Sequence, residues 1–551
     1  MARFAFRKKI CLLTILVLAG ACGSPSPAPE ETARSTRYED LVELFHQWRE
    51  FQKPRLVDGV ADYTAAAMAA QYHELGAYRR RLDGIDPRGW SIPRQVDYKL
   101  VGAEMNGLDF DHRVRRPWAR NPAFYRLIHA ARSDVPAHEG PSAYPAIDVW
   151  IYKYPLYAER AAELEERIGT IPQLLRQARG NLVEDARGLW RGGIRAMKAQ
   201  NADLEALAGR AAGREALVST IHRARQATDE FRGWLEQELP SKKGPSGVGK
   251  DNYTWYLQKV HLVPYTWEEE VTIMRSELAR AHATLRLEEH RNRDLPPLRR
   301  VESAGEYNRR FNAAVTEYMT FLKEKEILTV RDYMEPALRA HIGSFSPSSG
   351  LRGFFSEISY RSPLAMTTHS HHWIELAVLD NDPHSSPIRR GPLLYNIFDA
   401  RSEGLATGME EMMMQAGLLD KRPRARELIW IMLAQRAARA LSGLFLHSND
   451  FSMEEAVQFA SQRTPRGWMP SDSETVWGEQ HLYLQQPGYG TSYIIGKIQI
   501  ENLLAERARQ LGDEFSLRRF MDDFRASGLI PVSLIRWEIT GQEDEIRRLA
   551  E

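Results

Sequence analysis

The chain has 551 residues, 43% of them hydrophobic, and is long enough to bury one large core or two lobes. Its 74 lysines and arginines nearly balance 73 aspartates and glutamates, and the two signs are interspersed. The absence of a basic block or an arginine-rich arm from the sequence argues against a nucleic-acid partner.

The N-terminus is typical of an export signal. Four basic residues lie between positions 3 and 9, and Ile10 to Ala19 form an apolar run too short for a stable membrane-spanning helix. The segment Leu18-Ala19-Gly20-Ala21-Cys22 resembles the lipobox of bacterial lipoproteins, in which the cysteine becomes the acylated N-terminus. We therefore predict a lipoprotein signal peptide at residues 1–21 and lipid attachment at Cys22. Ordinary signal-peptidase cleavage after Ala21 is the alternative.

Residues 22–36 are predicted to be a flexible linker, because Gly23 to Pro29 alternate small residues with prolines. Gly23, rather than an aspartate, follows the cysteine. Resemblance to the sorting rule of Gram-negative lipoproteins then favours an outer-membrane lipoprotein that faces the periplasm. The membrane is thus an expected partner through the lipid anchor.

Cysteine usage agrees with this location. The sequence contains only Cys11 and Cys22, and Cys11 lies inside the predicted signal peptide. The processed protein would have no pair to form a disulfide, no cysteine nucleophile and no zinc–thiolate site. The ligands of any bound metal would therefore be histidine, aspartate or glutamate.

Apolar residues recur at three- and four-residue spacings from Tyr38 onward, which predicts amphipathic helices. Strand patterns are sparse, so we expect a mostly α-helical fold. The polar, glycine-rich segment 241–250 is the clearest break after the N-terminal region. It separates residues 37–240, a predicted N-terminal helical lobe, from residues 241–551, a predicted C-terminal helical lobe.

The most informative segment is rich in histidine. His369, His371 and His372 fall within four positions, and Glu375 follows three residues after the last of them. On a helix, His371 and Glu375 are i,i+4 and His369 and His372 are i,i+3, so one face can present two imidazoles and a carboxylate. The three histidines cannot all point the same way, so at most two would share one ion.

A second helix is predicted to begin near Asn396, a short connection later. On it Asp399, Glu403 and Glu410 recur along one stripe. A stripe of acids alone is usually a solvated face, and lone histidines are usually core or surface residues. Close succession of the two patterns favours a site.

Together, these residue types are those of a zinc centre. Imidazole nitrogens and a carboxylate hold zinc while leaving one position open for water. A nearby glutamate then takes a proton and returns it to the leaving amine. We therefore predict that Glu375 is the general base and that the zinc ligands come from His369, His371, His372 and Glu403.

The C-terminal half also carries longer motifs. Ser402 to Glu410 compares with E-G-W-A-x-Y-x-E, and Pro487 to Gly496 fits P-G-x-x-x-S-Y-x-x-G. Further matches are Gly249–Leu257, Phe515–Phe520 and Gly528–Ile535. Over roughly residues 247–545 the chain resembles the bacterial family catalogued as domain of unknown function 885, whose fold is similar to helical gluzincin-type metallopeptidases.

This resemblance implies a large, helical, two-lobed metallopeptidase-like fold with a central cleft. It also implies a zinc cofactor, with Glu403 as a ligand and Tyr493 as support for the oxyanion of the reaction.

The resemblance breaks down at the metal motif of the family, H-E-x-x-P-G-H-H. Aligning its last three residues with Ser370-His371-His372 places Ala365 and Met366 at the leading His-Glu pair. His369 would then replace the missing ligand, and Glu375 the missing base. The other interpretation is that hydrolysis has been lost and the site only binds metal or peptide.

Arg389 and Arg390 are candidates to bind a substrate carboxylate; an ordinary surface loop is the alternative. The sequence thus predicts a zinc-dependent hydrolase of peptides or related amides in the cell envelope. Its activity is expected to fall below about pH 6, where histidine ligands protonate. The alternative function is that of a non-catalytic envelope protein that uses the same cleft to bind peptides or a protein partner.

Overall fold

A computed structural model of the chain describes residues 34–346 and 353–550. The signal peptide predicted at 1–21, the lipid attachment predicted at Cys22 and most of the linker predicted at 22–36 lie outside the described residues. Within them the fold is mostly α-helical, as predicted, with only short strands. No helix among the described residues is both long and apolar enough to cross a membrane.

The first part of the chain combines helices with two small strand pairs. Strand β1 (Leu56–Val57) pairs antiparallel with β2 (Val60–Ala61), and β3 (Ile128–His129) pairs parallel with β4 (Ile147–Asp148). The second pair joins the two ends of the loop 130–146. The helices are α1 (Tyr38–Phe51), α2 (Ala65–Asp83), α3 (Ile92–Phe110), α4 (Pro117–Arg120), α5 (Ala158–Gly169), α6 (Ile171–Asn181), α7 (Arg187–Arg210) and α8 (Glu215–Glu238).

The rest of the described chain is helical. Its helices are α9 (Lys250–Lys259), α10 (Trp267–Arg291), α11 (Ala304–Glu324), α12 (Met334–Ala340), α13 (Phe354–Ser359), α14 (Pro363–His369), α15 (His371–Asn381), α16 (Asp399–Gln415), α17 (Pro423–His447), α18 (Met453–Arg463), α19 (Glu474–Gln485), α20 (Tyr489–Leu511), α21 (Leu517–Ala526), α22 (Val532–Thr540) and α23 (Asp544–Ala550).

Helix α17 is the central helix of this part. Nearly all of its side chains are buried, and it packs against α10, α18, α19 and α20. Apolar residues occur on all sides of this helix, and its buried polar side chains, such as Arg436, find partners on the neighbouring helices. Its longest neighbour, α10, is capped by Thr266, which forms a capping box with Glu269.

Helices α16 and α20 make the closest helix contact near the predicted site. Gly404 of α16 faces Gly496 of α20, and a methyl group added to either would overlap the backbone of the other helix. Because nothing but hydrogen separates the two backbones there, Glu403 of α16 lies beside Tyr489 at the start of α20.

Buried charges connect distant parts of the chain. Arg389, which is fully buried, donates to Asp97 of α3 (2.6 Å) and to Glu538 of α22 (2.7 Å). One apolar core also includes residues on both sides of the boundary predicted at 240/241. The division into two lobes with a central cleft stays a prediction.

Candidate metal centre

The histidine segment contains a helix break that decides where each histidine points. Helix α14 ends at His369, and α15 begins at His371, with Ser370 (φ −64°, ψ 4°) between them. The rings of His369 and His372 meet edge to face, with centroids 5.1 Å apart. His371 points elsewhere, because successive helical residues are rotated by about 100°.

Three residues form a possible metal site. Asp134, His369 and His372 each offer one ligand atom, and these atoms lie within 4.8 Å of one another. Both histidines are buried, whereas Asp134 is half-buried and comes from the loop between β3 and β4. Ligand atoms about 2.1 Å from a tetrahedral zinc ion lie roughly 3.4 Å apart. Small movements of these side chains would therefore bring all three ligand atoms to coordination distance from one ion.

His369 is oriented as metal-binding histidines usually are. Its Nδ1 lies 3.0 Å from Glu410 Oε1 and 3.2 Å from an Arg436 nitrogen. An arginine offers no acceptor, so a proton on Nδ1 is donated to Glu410, and Nε2 is left as the ligand atom. Arg436 in turn binds both Glu410 oxygens at 2.7 Å. Burial raises the pKa of Glu410, but Arg436 and His369 outweigh it and lower that pKa below its usual value.

His372 is paired with Glu403, the carboxylate predicted to join it. Nε2 of His372 lies 3.1 Å from Glu403 Oε2. Burial alone would lower the pKa of His372, but the charges of Glu403 and Asp134 raise it to about 9. Burial likewise opposes ionisation of Glu403, and His372 lowers its pKa to about 2. His372 is thus positively charged near neutral pH, and a metal cation would take the place of its proton.

A tyrosine hydroxyl links two carboxylates at this site. Tyr489 lies 2.5 Å from Glu139 Oε1 and 2.6 Å from Glu403 Oε1, and the Tyr493 hydroxyl lies 3.3 Å from that of Tyr489. A phenol carries one proton, so both contacts are hydrogen bonds only if one carboxyl is protonated. Surrounding protein, together with Asp134, raises the pKa of Glu139 to about 7, although its side chain still reaches solvent. Glu139, rather than Glu403, is therefore the carboxyl that carries a proton as the pH falls through 7.

His371 and Glu375 lie outside this cluster. His371 contacts the Tyr318 hydroxyl at 3.1 Å and Glu375 at 3.5 Å. Glu375 also pairs with Arg401 (2.5 Å) and Arg525 (3.0 Å), and a cavity of about 420 Å³ borders these three side chains. Burial opposes ionisation of Glu375, but the two arginines hold its pKa well below the usual value. A carboxylate so paired is a poor proton acceptor, and the structure does not bring the predicted base to the candidate metal ligands.

The two predicted substrate-binding arginines differ. The charge of Arg389 is balanced by Asp97 and Glu538, so it stabilises the fold rather than presenting a free guanidinium. Arg390 is exposed, and one of its nitrogens lies 3.5 Å from the Ser385 carbonyl oxygen, which fits a surface loop.

The sequence pattern of the family described as "Bacterial protein of unknown function (DUF885)" matches residues 52–342 and 371–539. The chain belongs to the DUF885 family. The DUF885 match includes Asp134, His372 and Glu403, but it omits His369 and the helix α14 that carries it. No curated protein matches the sequence.

Two solved structures share the fold. One is a candidate lipoprotein of unknown function from Shewanella oneidensis (TM-score 0.65, 15% identity, 92% of this chain and 100% of that one). The other is a candidate lipoprotein from Colwellia psychrerythraea (TM-score 0.66, 15% identity, 91% of this chain and 98% of that one). At this identity the likeness shows that the DUF885 chain shares their fold, and it shows nothing about function.

Sequence reasoning missed Asp134, Glu139 and the role of Tyr489. Tyr489 belongs to the Pro487–Gly496 motif, where only Tyr493 was assigned a role. Asp134 and Glu139 carry no local motif, because the loop that holds them reaches the histidines only through the tertiary fold.

Proposed function

We propose that this protein is a zinc-dependent hydrolase of peptides or related amides, anchored in the cell envelope through Cys22. The observation that carries the proposal is the set of ligand atoms from Asp134, His369 and His372 within 4.8 Å of one another. Two imidazoles and one carboxylate suit zinc and leave a coordination position open, as hydrolysis requires. The orientation of His369 by Glu410 supports the same conclusion.

Glu403 replaces Glu375 as the proposed proton acceptor, because a bound cation would displace the proton of His372, whose charge otherwise lowers the pKa of Glu403. Alternatively, Glu403 is a ligand of the ion, as predicted from the sequence. Its carboxylate is 3.1 Å from His372 Nε2 and therefore borders the space between the ligands. A zinc ion there would supply Lewis-acid chemistry, polarising the carbonyl of an amide.

The side chains around it can move a proton. Glu403 accepts a hydrogen bond from Tyr489, whose oxygen can accept one from protonated Glu139. Because Glu139 reaches solvent, this chain of three groups connects a buried carboxylate with bulk water. Tyr493, one helical turn after Tyr489 on α20, would support negative charge that develops on a substrate oxygen.

The anchoring part of the proposal rests on the N-terminal sequence and on the relatives. The segment Leu18–Cys22 resembles a lipobox, and the two solved structures described above are candidate lipoproteins. An outer-membrane location facing the periplasm follows from Gly23 after the cysteine.

A non-catalytic envelope protein that binds peptides or another protein is the second candidate. It is favoured by Ala365 and Met366, which stand where the resembled family has its leading His-Glu pair. The burial of Glu375 between Arg401 and Arg525 removes the substitute base that the sequence offered.

Elemental analysis of the purified fragment 23–551 tests the proposal, followed by a peptide-library search for cleavage. We expect about one zinc per chain, lost in Asp134→Asn, His369→Gln and His372→Gln. His371→Gln is the matched control: it removes a neighbouring buried histidine outside the cluster and should keep the zinc. A wild-type protein without stoichiometric zinc, even after zinc is supplied, would overturn the hydrolase proposal.

A further inference from the structure

We infer that a cavity beside the metal centre binds a large apolar or aromatic side chain of a peptide substrate, next to the amide to be cleaved. The inference rests on the proposed function, because it treats the bound peptide as a substrate. The binding itself does not require zinc. The cavity has a volume of about 530 Å³ and lies against the loop that carries Asp134 and Glu139. Small-molecule sites in proteins typically span about 300–1,000 Å³ and are lined mainly by apolar side chains.

Aromatic rings from separate parts of the chain form its walls. They come from the connection between β2 and α2, from α4, from the segments before and after β3, and from the turn before α16; the five rings are those of Tyr63, Trp118, Phe124, Tyr144 and Tyr395. Aromatic walls favour apolar and aromatic occupants, which they contact over large areas at little cost in side-chain entropy.

The cavity and the metal centre share a wall. His138 and Gly140 line the cavity, and Glu139 between them faces Tyr489 of the centre. Asn396 donates to the His138 carbonyl oxygen (2.9 Å), and the Gly140 amide donates to Gln486 (2.7 Å). Consecutive Cα atoms are about 3.8 Å apart, so a group in the cavity lies within one or two residue lengths of Glu139.

The charged side chains at the edge of the cavity already have partners. Arg49 pairs with Glu104 at 2.9 Å, Arg115 with Asp111 at 2.6 Å, and Lys53 with Glu50 at 2.7 Å. The Tyr63 hydroxyl accepts a hydrogen bond from the Tyr144 amide at 2.8 Å. An occupant therefore finds apolar walls rather than an unpaired charge, which favours an uncharged side chain over a charged one.

The backbone at this wall is strained. Tyr395 (φ 57°) and Asn396 (φ 51°) both adopt the left-handed conformation, which residues other than glycine rarely do. The ring of Tyr395 fills the space above Gly107, where a methyl group would overlap it. Strain of this kind persists where surrounding contacts fix it, and it is concentrated at functional sites. Here it places a ring in the cavity wall and an amide on the carbonyl of His138.

The test measures binding of two end-blocked pentapeptides, one with a central phenylalanine and one with a central alanine, by calorimetry. We expect the phenylalanine peptide to bind the 23–551 protein at least about tenfold more tightly, as burial of a benzyl group predicts. Ala137→Phe fills the cavity and Tyr144→Ala removes part of its wall, and each should abolish most of this preference. The matched controls Ala131→Phe and Tyr157→Ala alter exposed residues outside the cavity and should retain it.

Zinc content is measured on the same samples, which separates the two proposals. Equal affinity of wild-type protein for both peptides would overturn the cavity assignment, as would full preference in both cavity variants. Zinc binding without a preference refutes the cavity alone. A preference lost in the cavity variants, in protein that binds no zinc, refutes the hydrolase and leaves the cavity as a peptide-binding site.

Discussion

Gly404 and Gly496 face each other across α16 and α20 with no side chain between them. This contact fixes the height of Glu403, the residue before Gly404, relative to Tyr489, which lies seven residues before Gly496. Two helices that touch by backbone cannot slide or separate without losing that contact. The geometry of the candidate centre therefore depends on two positions that carry no functional group.

Gly496→Ala is expected to lower the free energy of unfolding by about 1–3 kcal/mol or more, because the new methyl group overlaps the backbone of α16. Urea denaturation of the 23–551 protein measures the change. Gly478→Ala is the control, since a methyl group there meets open space on helix α19. It should stabilise slightly, by about 0.5–1 kcal/mol. Equal stability of the two variants would contradict the backbone contact.

Glu410→Gln is expected to weaken zinc binding about 10- to 100-fold, because it removes the carboxylate that fixes the orientation of His369. Competition with a zinc-binding dye measures the affinity. The control is Glu411→Gln, which alters a neighbouring carboxylate paired with Arg280 and Lys497. If both variants bind zinc as tightly as wild type, His369 is not a ligand oriented by Glu410.

Tyr489→Phe is expected to reduce peptide hydrolysis about 100-fold while zinc remains bound, because the hydroxyl that joins Glu139 to Glu403 is lost. Initial rates over a range of pH, on a peptide identified from the library, measure the effect. Tyr493→Phe removes the hydroxyl proposed to support the oxyanion, 3.3 Å from that of Tyr489, and should lower the rate equally at every pH. Unchanged rates in Tyr489→Phe at every pH would exclude a role for this hydroxyl in proton transfer.

Glu270→Gln is expected to stabilise the protein at pH 8 and to have little effect at pH 5. Glu270 is fully buried, its Oε2 accepts a hydrogen bond from Tyr253 (2.9 Å), and burial raises its pKa from 4.5 to about 8. Between these values the folded state keeps a proton that the unfolded state releases, so stability falls as pH rises through that window. The gain at pH 8 should be on the order of 2–4 kcal/mol.

Urea denaturation at both pH values measures this difference. Glu268→Gln changes an exposed residue of the same helix and should show no comparable pH dependence. A Glu270→Gln variant that tracks wild type between pH 5 and pH 8 would show that Glu270 ionises normally.

The sequence predicted the helical class because apolar spacing is a local property, and it also placed Glu403 and Glu410 on one stripe of a helix. Both carboxylates now contact a histidine. The helix that carries the histidines was only partly predicted. His369 and His372 do meet, but a break at Ser370 separates their helices. The sequence has no glycine or proline there to indicate the break.

The remaining site residues depend on tertiary structure. Asp134 and Glu139 reach the histidines because Asn396 and Gln486 hold the loop 130–146 from the other side. The pairing of Glu375 with Arg525 joins α15 to α21, far apart in sequence. Helical periodicity says which residues share a face, but it does not say which other element will cover that face.

The origin of the three candidate ligands has a consequence for folding. Asp134 comes from a loop near the start of the chain, and His369 and His372 come from helices in its second half. An ion bound by all three would act as a cross-link that closes a loop of more than 200 residues, from Asp134 to His369. By mass action, free metal at about 1,000 times its Kd would add roughly 4 kcal/mol to the stability of the folded state.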